Sequence, residues 1–174
     1  MTTRTELLKA VLEGYQEEHK DLVETWKTVE SKAQGTVAVA GVFLAACFAW
    51  AREADQIKDE WQLVGLVVAV ILLVGSVVAA LASLKIKDLP RGILGDGLSK
   101  LVIDFLSLSD ANELGEREEV LYRDSIRLWS ENNQSMRSTI NRKATCLARS
   151  QLLAVSAAVV VACVTCKALM EAFP

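Results

Sequence analysis

The amino-acid sequence predicts an all-α membrane protein with three transmembrane helices and long cytoplasmic helical stalks. Of the 174 residues, 52% are hydrophobic and 24% are charged, and the two kinds occupy different parts of the chain. Three segments are apolar over roughly the 20 residues that a helix needs to cross a bilayer. The charged segments before and between them repeat apolar residues with the period of a coiled coil.

The second apolar segment, VGLVVAVILLVGSVVAALASL at residues 64–84, contains no charged residue and no proline. A helix buried in a soluble protein rarely keeps all its faces apolar over such a length, so this segment predicts a membrane span. The third span requires that the ammonium group of Lys167 reach the membrane surface. The predicted transmembrane helices are residues 35–51, 61–84 and 150–170, with a short outer loop at residues 52–60.

The basic residues predict the orientation in the membrane. Sixteen of the 19 Lys and Arg residues lie before the first span or in residues 85–149. Three spans place these two segments on the same side, and the positive-inside rule makes that side the cytoplasm. We therefore expect a membrane protein whose N-terminus and residues 85–149 are cytoplasmic and whose C-terminus lies outside.

Residues 1–34 are predicted to form a cytoplasmic stalk helix. Apolar residues and one histidine follow one another at steps of four and three, as in a coiled coil. No proline interrupts this pattern before the first span, so we expect one continuous helix over residues 5–51. The residues of this predicted oligomer seam are Leu8, Leu12, Tyr15, His19, Leu22, Trp26 and Val29.

A second stalk is predicted in residues 85–149, the cytoplasmic helical segment that leads into the third span. Its seam residues recur at steps of three and four, and they are Ile126, Trp129, Asn133, Met136 and Ile140. Both stalks run toward the membrane, so they can pack in parallel within one chain or between copies, and we expect a homo-oligomer. A polar residue in such a seam, His19 or Asn133, can fix register and oligomeric state. The alternative is that these two residues lie at the wetter edge of the seam.

Each predicted span also carries a ladder of small residues spaced four apart. Such ladders let helices approach closely, within a chain or between subunits. The alternative is that alanine-rich spans contain this spacing by chance. The ladder residues are Gly41, Ala45 and Ala49 in the first span, Gly75, Ala79 and Ser83 in the second, and Ala154, Ala158 and Ala162 in the third.

The sequence offers no catalytic constellation, and we expect neither enzymatic activity nor a metal or other cofactor. The single histidine, His19, is already explained by the stalk seam. Cys163 and Cys166 form a C-x-x-C spacing inside an apolar span, without the second pair that a zinc site needs. They are either buried apolar residues or an oxidised pair near the outer face. A net charge of −3 with interleaved acidic and basic residues argues against a nucleic-acid partner.

A candidate anion or ligand site follows the second span. In RGILGDG, residues 91–97, glycine amides near a helix start can hold a phosphate group, and arginines of the second stalk can bind one through two hydrogen bonds. The alternatives are a simple break in the helix and a solvated basic face. The residues of this hypothesis are Arg91, Gly92, Gly95, Gly97, Arg123 and Arg127.

The order of these elements resembles that of a known group of proteins. The likeness is carried by LYRDSIRLWSENNQSMRSTINRKATCLARSQ ahead of the last span, with Trp129, Asn132, Arg142, Lys143 and Leu147. It resembles the small bacterial transmembrane effectors of nucleotide-activated antiphage systems, of which SLATT-domain proteins and Pycsar transmembrane effectors are the nearest types. The chain departs from them in its three predicted spans, where most are described with two or four. The resemblance implies a protein that is silent until a cyclic nucleotide or similar signal arrives, after which its oligomerised spans impair the inner membrane.

Two functions remain open. The spans lack an interior Asp, Glu, Arg or His, which argues against a transporter. In the first function the stalks repack when triggered and the spans form a pore, lined at most by Thr36, Ser76, Ser156 and Thr165. In the second the protein is a non-conducting anchor whose stalks recruit a soluble partner. The expected partners are therefore the lipid bilayer, further copies of the chain, and a cyclic nucleotide or a soluble protein.

Overall fold

The computed structural model describes residues 2–52, 60–86 and 111–172, and apart from Ile86 all of these residues are helical. Helix α1 runs Thr2–Arg52, α2 Glu60–Lys85 and α3 Ala111–Ala172. Each of the three contains a stretch long and apolar enough to cross a membrane, and no strand occurs in the described residues. The predicted fold class, an all-α membrane protein with three transmembrane helices, is confirmed.

The lengths of α1 and α3 follow from their composition. Both prolines of the chain, Pro90 and Pro174, lie outside the three helices, so no helix loses a backbone hydrogen bond to proline. Helix α1 therefore includes all of residues 5–51, for which one continuous helix was expected. Helix α2 has Glu60 in its first turn and Lys85 in its last, and both charges suit the helix dipole.

The chain forms two compact units, and α1 and α3 contribute residues to both. Among the described residues, the polar unit consists of residues 2–27 and 111–141, and the apolar unit consists of residues 28–52, 60–86 and 142–172. Charged side chains recur along the polar unit. The apolar unit contains all of α2 and the apolar parts of α1 and α3.

In the polar unit α1 and α3 run parallel. Arg4 forms an ion pair with Glu119 at 3.1 Å, and further along both helices His19 meets Asn133. Because the partners advance together along the two helices, the helices have the same direction. The parallel packing expected of the two stalk segments therefore occurs within a single chain.

Among the described residues, the apolar core of the polar unit is one cluster. Trp26 is buried against Met136 and Ile140, with Leu22 and Val23 packed at its edge. Large side chains fill the space between the two helices here, and burying an aromatic side chain of this size removes about 150–250 Å² from water. This cluster holds α1 against α3 in the polar unit.

In the apolar unit α2 runs antiparallel to α3. Ser76 is hydrogen-bonded to Ser150, and Ser83, later in α2, is bonded to Lys143, earlier in α3. The buried residues of α2 follow one another at steps of four and three, as in a coiled coil. They are Gln62, Leu66, Ala69, Leu73, Ser76, Ala80 and Ser83.

Two apolar clusters form the core of the apolar unit. One contains Ala40, Cys47, Leu66, Leu73 and Ala157, and the other contains Val29, Ala33 and Leu147 with Leu84 packed against it. The buried residues that α1 contributes at Ala33, Ala40 and Cys47 are small and spaced seven apart. Small residues at this period let helices approach closely along a single face.

Parts of three predictions lie outside the described residues. They are the interior of the outer loop between Arg52 and Glu60, the first part of the cytoplasmic helical segment, and the glycine-rich half of the candidate anion site. The affected site residues are Arg91, Gly92, Gly95 and Gly97.

Candidate functional site

The residues of the predicted oligomer seam lie on the faces by which α1 and α3 pack in one chain. The half-buried seam residues are Leu8, Leu12, Tyr15, His19 and Leu22 on α1 and Ile126 and Trp129 on α3. The buried seam residues are Trp26, Asn133, Met136 and Ile140 in the polar unit and Val29 in the apolar unit. Most of these side chains therefore have partners within the chain. Their contribution to an oligomer stays a prediction.

Asn133 is the centre of a polar cluster in the polar unit and is only 2% exposed. Its Oδ1 accepts a hydrogen bond from His19 Nδ1 at 3.1 Å, and its Nδ2 donates to the backbone oxygen of Tyr15 at 3.0 Å and to Glu18 Oε2 at 3.2 Å. The amide thus uses both its donor and its acceptor atoms on α1. Because a buried polar group is costly without partners, these bonds favour the observed register of α1 against α3.

Two further contacts extend this polar cluster. The rings of His19 and Trp129 meet edge to face, with centroids 5.0 Å apart and an interplanar angle of 70°, an arrangement that aromatic pairs prefer. Arg137 donates to the second carboxylate oxygen of Glu18. The cluster therefore joins α1 to α3 through a charge pair, an amide and a ring contact.

A pocket of about 430 Å³ opens beside the polar cluster. It is lined by Tyr15, Glu18, Ser130, Asn133, Gln134 and Arg137. The lining combines a cation, a carboxylate, two amides and hydroxyl groups, which is a donor and acceptor set suited to a small polar ligand. The Arg137 side chain is exposed, so a ligand in the pocket can reach its guanidinium.

The described arginines of the candidate anion site, Arg123 and Arg127, are exposed and form ion pairs. Arg123 contacts Glu119 at 2.6 Å, and Arg127 contacts Glu131 at 3.9 Å. Both carboxylates lie four residues away on the same helix, and such surface pairs contribute little to stability. The role of these arginines in ligand binding stays a prediction.

The predicted ladder residues occupy different environments in the apolar unit. Ser83 is buried; Gly75, Ala79, Ala154 and Ala158 are half-buried; Gly41, Ala45, Ala49 and Ala162 are exposed. A Cβ at Gly75 would lie 3.5 Å from Leu153 on α3, whereas one at Gly41 would meet nothing within 4 Å. The ladder of α1 therefore faces away from the core of its own chain, and a role between copies stays a prediction.

Two serines form a reciprocal pair between α2 and α3. Ser76 Oγ donates to the backbone oxygen of Ser150 at 2.8 Å, Ser150 Oγ donates to the backbone oxygen of Ser76 at 2.7 Å, and the two Oγ atoms are 3.1 Å apart. Ser83 Oγ donates to the backbone oxygen of Lys143 at 3.1 Å. All three serines are buried, and hydrogen bonds of this kind hold helices together in lipid.

Lys143 is the most deeply buried charged side chain among the described residues and is only 1% exposed. Its Nζ donates to Glu30 Oε1 at 2.7 Å. A buried ammonium group is costly unless it is paired, and the carboxylate of Glu30 supplies its charge partner. The pair joins α1 to α3 in the apolar unit.

An apolar cavity of about 220 Å³ lies in the apolar unit, near the C-terminal ends of α1 and α3 and the N-terminal end of α2. Its lining residues are Phe43, Ala46, Cys47, Trp50, Gly65, Leu66, Val161, Val164 and Thr165. Nearby, a Cβ at Gly65 would overlap the side chain of Val164. Glycine at this position therefore permits the close approach of α2 to α3.

The cysteines do not form a metal site or a disulfide among the described residues. Cys163 and Cys166 are exposed free thiols, Cys146 is half-buried, and Cys47 is buried. No group of three or more His, Cys, Asp or Glu side chains that could hold a metal ion occurs in the part of the chain that the structure describes. Of the two alternatives for the C-x-x-C spacing, neither a buried position nor an oxidised pair is seen.

Sequence reasoning missed the polar contacts of the apolar unit. Ser76 was expected only as a pore-lining residue, and Ser150, Lys143 and Glu30 were given no contact. One signal could have found them: Ser76 and Ser83 on α2, and Lys143 and Ser150 on α3, are each separated by seven residues. Polar residues at that spacing lie on one face of a helix.

One comparison with known proteins finds a match. The model of the Pycsar effector protein domain matches residues 15–168, which include most of α1, all of α2 and most of α3. No curated protein and no solved structure matches the chain. The matched range contains the polar cluster, all of α2, and most of the apolar parts of α1 and α3.

Proposed function

Because this chain belongs to the Pycsar effector protein domain family, and is therefore a membrane effector of antiphage defence, we propose that it permeabilises the inner membrane when triggered. The trigger is a nucleotide second messenger or a protein partner, and the active form is a homo-oligomer. The observation that carries the proposal is the family match over residues 15–168 together with three helices able to cross a membrane. The mechanism involves no catalytic step.

The orientation proposed from the basic residues gives each unit its place. The polar unit lies in the cytoplasm, where a soluble signal is present, and the apolar unit lies in the inner membrane. The C-terminus lies outside. This orientation is supported by the sixteen Lys and Arg residues that share one side.

The polar cluster around Asn133 is the element that responds to the trigger. Arg137 binds Glu18 across the two helices, and an anionic ligand in the neighbouring pocket would compete for its guanidinium. A ligand shifts an equilibrium only by binding one state better than the other. The Arg137–Glu18 contact provides that difference, because the contact is formed in the silent state and is lost when the ligand binds Arg137.

The contributions of α1 and α3 to both units support a mechanism for transmission. A change in the packing of α1 against α3 in the polar unit alters the same two helices that cross the membrane. The apolar spans then separate and admit water. The exposed ladder of Gly41, Ala45 and Ala49 supplies a surface on which spans of neighbouring copies can pack.

Dye release from liposomes tests the proposed function. The purified protein is reconstituted in vesicles of phosphatidylethanolamine and phosphatidylglycerol that contain a self-quenched dye. The four 3′,5′-cyclic mononucleotides of adenine, guanine, cytosine and uracil are added one at a time, and light scattering in detergent records the mass with each nucleotide. Release with one nucleotide, accompanied by a change in oligomer mass or shape, supports the proposal.

Matched arginine variants sharpen this test. Arg137→Ala removes the guanidinium that the nucleotide would bind and is expected to abolish the response to the nucleotide. Arg149→Ala removes an exposed guanidinium of the apolar unit and is expected to retain the response. Trp26→Asp is expected to abolish both the oligomer and dye release. A protein that releases no dye with any nucleotide, nor with the cytoplasmic protein that it retains on purification, is the non-conducting anchor and contradicts the proposal.

A further inference from the structure

Three buried serines of the membrane-spanning helices share one contact, between α2 and α3. Ser76, Ser83 and Ser150 hydrogen-bond across this contact and are fully buried. By contrast, Thr36 and Thr165 donate to backbone oxygens of their own helices. The buried serines are therefore the hydroxyl groups that would meet water if α2 and α3 separated.

The exposed faces of the same helices are apolar. The large exposed side chains of α2 and α3 in the spans include Val67, Ile71, Val74, Val78, Leu152 and Val155. Such faces suit contact with lipid chains, whereas a water path needs groups that can replace the hydrogen bonds of water. Polar groups inside a membrane protein accordingly mark the route of water or ions.

The contact between α2 and α3 changes character along its length. At one end Ser83 is hydrogen-bonded to Lys143, whose ammonium group pairs with Glu30 of α1. Seven residues earlier in α2, about 10 Å at 1.5 Å per residue, lies the Ser76–Ser150 pair. Beyond it the buried residues of α2 are Leu73, Ala69 and Leu66, and Gln62 follows at the other end. Two polar ends thus enclose an apolar middle.

An apolar middle between polar ends is the arrangement of a hydrophobic gate. A narrow apolar constriction excludes water and stops ions without a physical plug. Leu73 is only 1% exposed, and its neighbours in the core are Leu66, Ala40 and Ala157. These residues close the contact in the silent state.

We propose that the α2–α3 contact is the water path of the triggered protein, with Ser76, Ser83 and Ser150 lining it and Leu73 closing it. The inference rests on the proposed function, namely that the triggered protein permeabilises the membrane. The proposal places the water path inside each chain. A path between several copies would instead be lined by residues of their exposed faces.

The first test makes the gate polar. Leu73→Ser is expected to raise trigger-free dye release from liposomes about tenfold, because water enters a polar constriction more readily. Val74→Ser is the matched control: it is the next residue, 47% exposed, and is expected to release no more dye than the wild type. Circular dichroism and light scattering verify the fold, and Leu66→Ser replaces Leu73→Ser if that variant does not fold. A folded gate variant without release overturns the proposal.

The second test locks the path. In a background where Cys47, Cys146, Cys163 and Cys166 are alanine, Ser76→Cys and Ser150→Cys are combined with Leu73→Ser. The serine Oγ atoms are 3.1 Å apart, and cysteine sulfurs there need to approach to about 2.05 Å to bond. Oxidation by copper phenanthroline is expected to lower the dye release of this variant to the wild-type level, and reduction by dithiothreitol is expected to raise it again. Oxidation is expected to leave the release of either single cysteine variant unchanged.

The outcomes separate this inference from the proposed function. Release that persists through the oxidised α2–α3 bond overturns the assignment of the path. If the wild type still releases dye with a nucleotide in that case, the proposed function stands and the path lies elsewhere. A wild type that releases no dye with any nucleotide counts against a nucleotide trigger, whatever the locked variant does.

Discussion

The polar unit and the apolar unit join the same two helices with different kinds of side chain. In the polar unit α1 meets α3 through large residues such as Trp26 and Met136 and through bonds between side chains, as at His19 and Asn133. In the apolar unit the buried residues of α1 and α3 include Ala33, Ala40 and Ala157. There the serines bond mainly to backbone oxygens.

The difference is the one expected of a polar unit in water and an apolar unit in lipid. In water, burial of apolar surface drives helices together and favours large side chains. In lipid that driving force is absent, so helices associate through close packing of small residues and through hydrogen bonds. The change from large to small buried residues along α1 accordingly occurs where the helix is expected to enter the membrane.

The strongest test of this contrast removes the largest buried residue of the polar unit. Trp26→Ala is expected to lower the free energy of unfolding by about 4 kcal/mol, because it leaves a cavity between α1 and α3. Trp61→Ala in the apolar unit is the control, since Trp61 is 71% exposed, and a change below about 1 kcal/mol is expected. Urea unfolding in detergent, followed by circular dichroism, measures both. Equal losses would contradict the contrast.

The next effect concerns the ion pair of the apolar unit. Glu30→Gln removes the carboxylate that binds the buried ammonium of Lys143, and a loss of about 3 kcal/mol is expected. Adding Lys143→Met is expected to recover most of this loss, because replacing both members leaves no charge in the core. The same unfolding measurement applies. A double variant as unstable as Glu30→Gln would show that the lysine itself is needed for packing.

A smaller effect is expected from the polar cluster. Asn133→Leu takes away the partners of His19, Glu18 and the backbone oxygen of Tyr15, at an expected cost of about 2 kcal/mol. Gln134→Leu at the exposed neighbouring position is expected to cost less than about 0.5 kcal/mol. Hydrogen exchange of the α1 amides around Tyr15 should rise only in the first variant. Unchanged exchange would argue against a role for Asn133 in fixing register.

The smallest effect is expected from the hydrogen bonds between Ser76 and Ser150 in the apolar unit. A double-mutant cycle of Ser76→Ala and Ser150→Ala is expected to give a coupling energy of about 0.6 kcal/mol, the usual size for such bonds in membrane proteins. Unfolding by a denaturing detergent measures it. Pairing Ser76→Ala with Val155→Ala, an exposed residue, is expected to give no coupling. A coupling above about 2 kcal/mol would mean that the serine pair dominates this contact.

The fold class could be predicted because long apolar segments and a coiled-coil period are local properties of a sequence. The α1 face that carries Leu22 and Trp26, and the α3 face that carries Met136 and Ile140, are both given by spacing alone. The choice of the helix against which each face packs is not a local property of the sequence. The sequence could not pair His19 with Asn133, 114 residues away, nor decide whether the partner belongs to the same chain.

The spans were harder to interpret, for a physical reason. A lipid-facing surface and a helix-packing surface can both be built from alanine, valine and glycine, so apolar spacing cannot tell them apart. The ladder that begins at Gly41 faces outward, whereas Ala40, the residue before it, is buried. Polar residues are the better guide, because Ser76 and Ser83 both lie at buried positions of α2.

The regular burial along α2 makes this helix sensitive to the number of its residues. From Gln62 to Ser83 each buried residue follows the last by three or four positions. The exposed positions between them, such as Ile71 and Val78, carry apolar side chains that suit lipid. One inserted residue turns everything after it by about 100° around the helix axis. Such an insertion ahead of Leu73 would carry Ser76 and Ser83 toward lipid together. We therefore expect relatives of this chain to vary freely on the outer face of α2 and to keep its length constant.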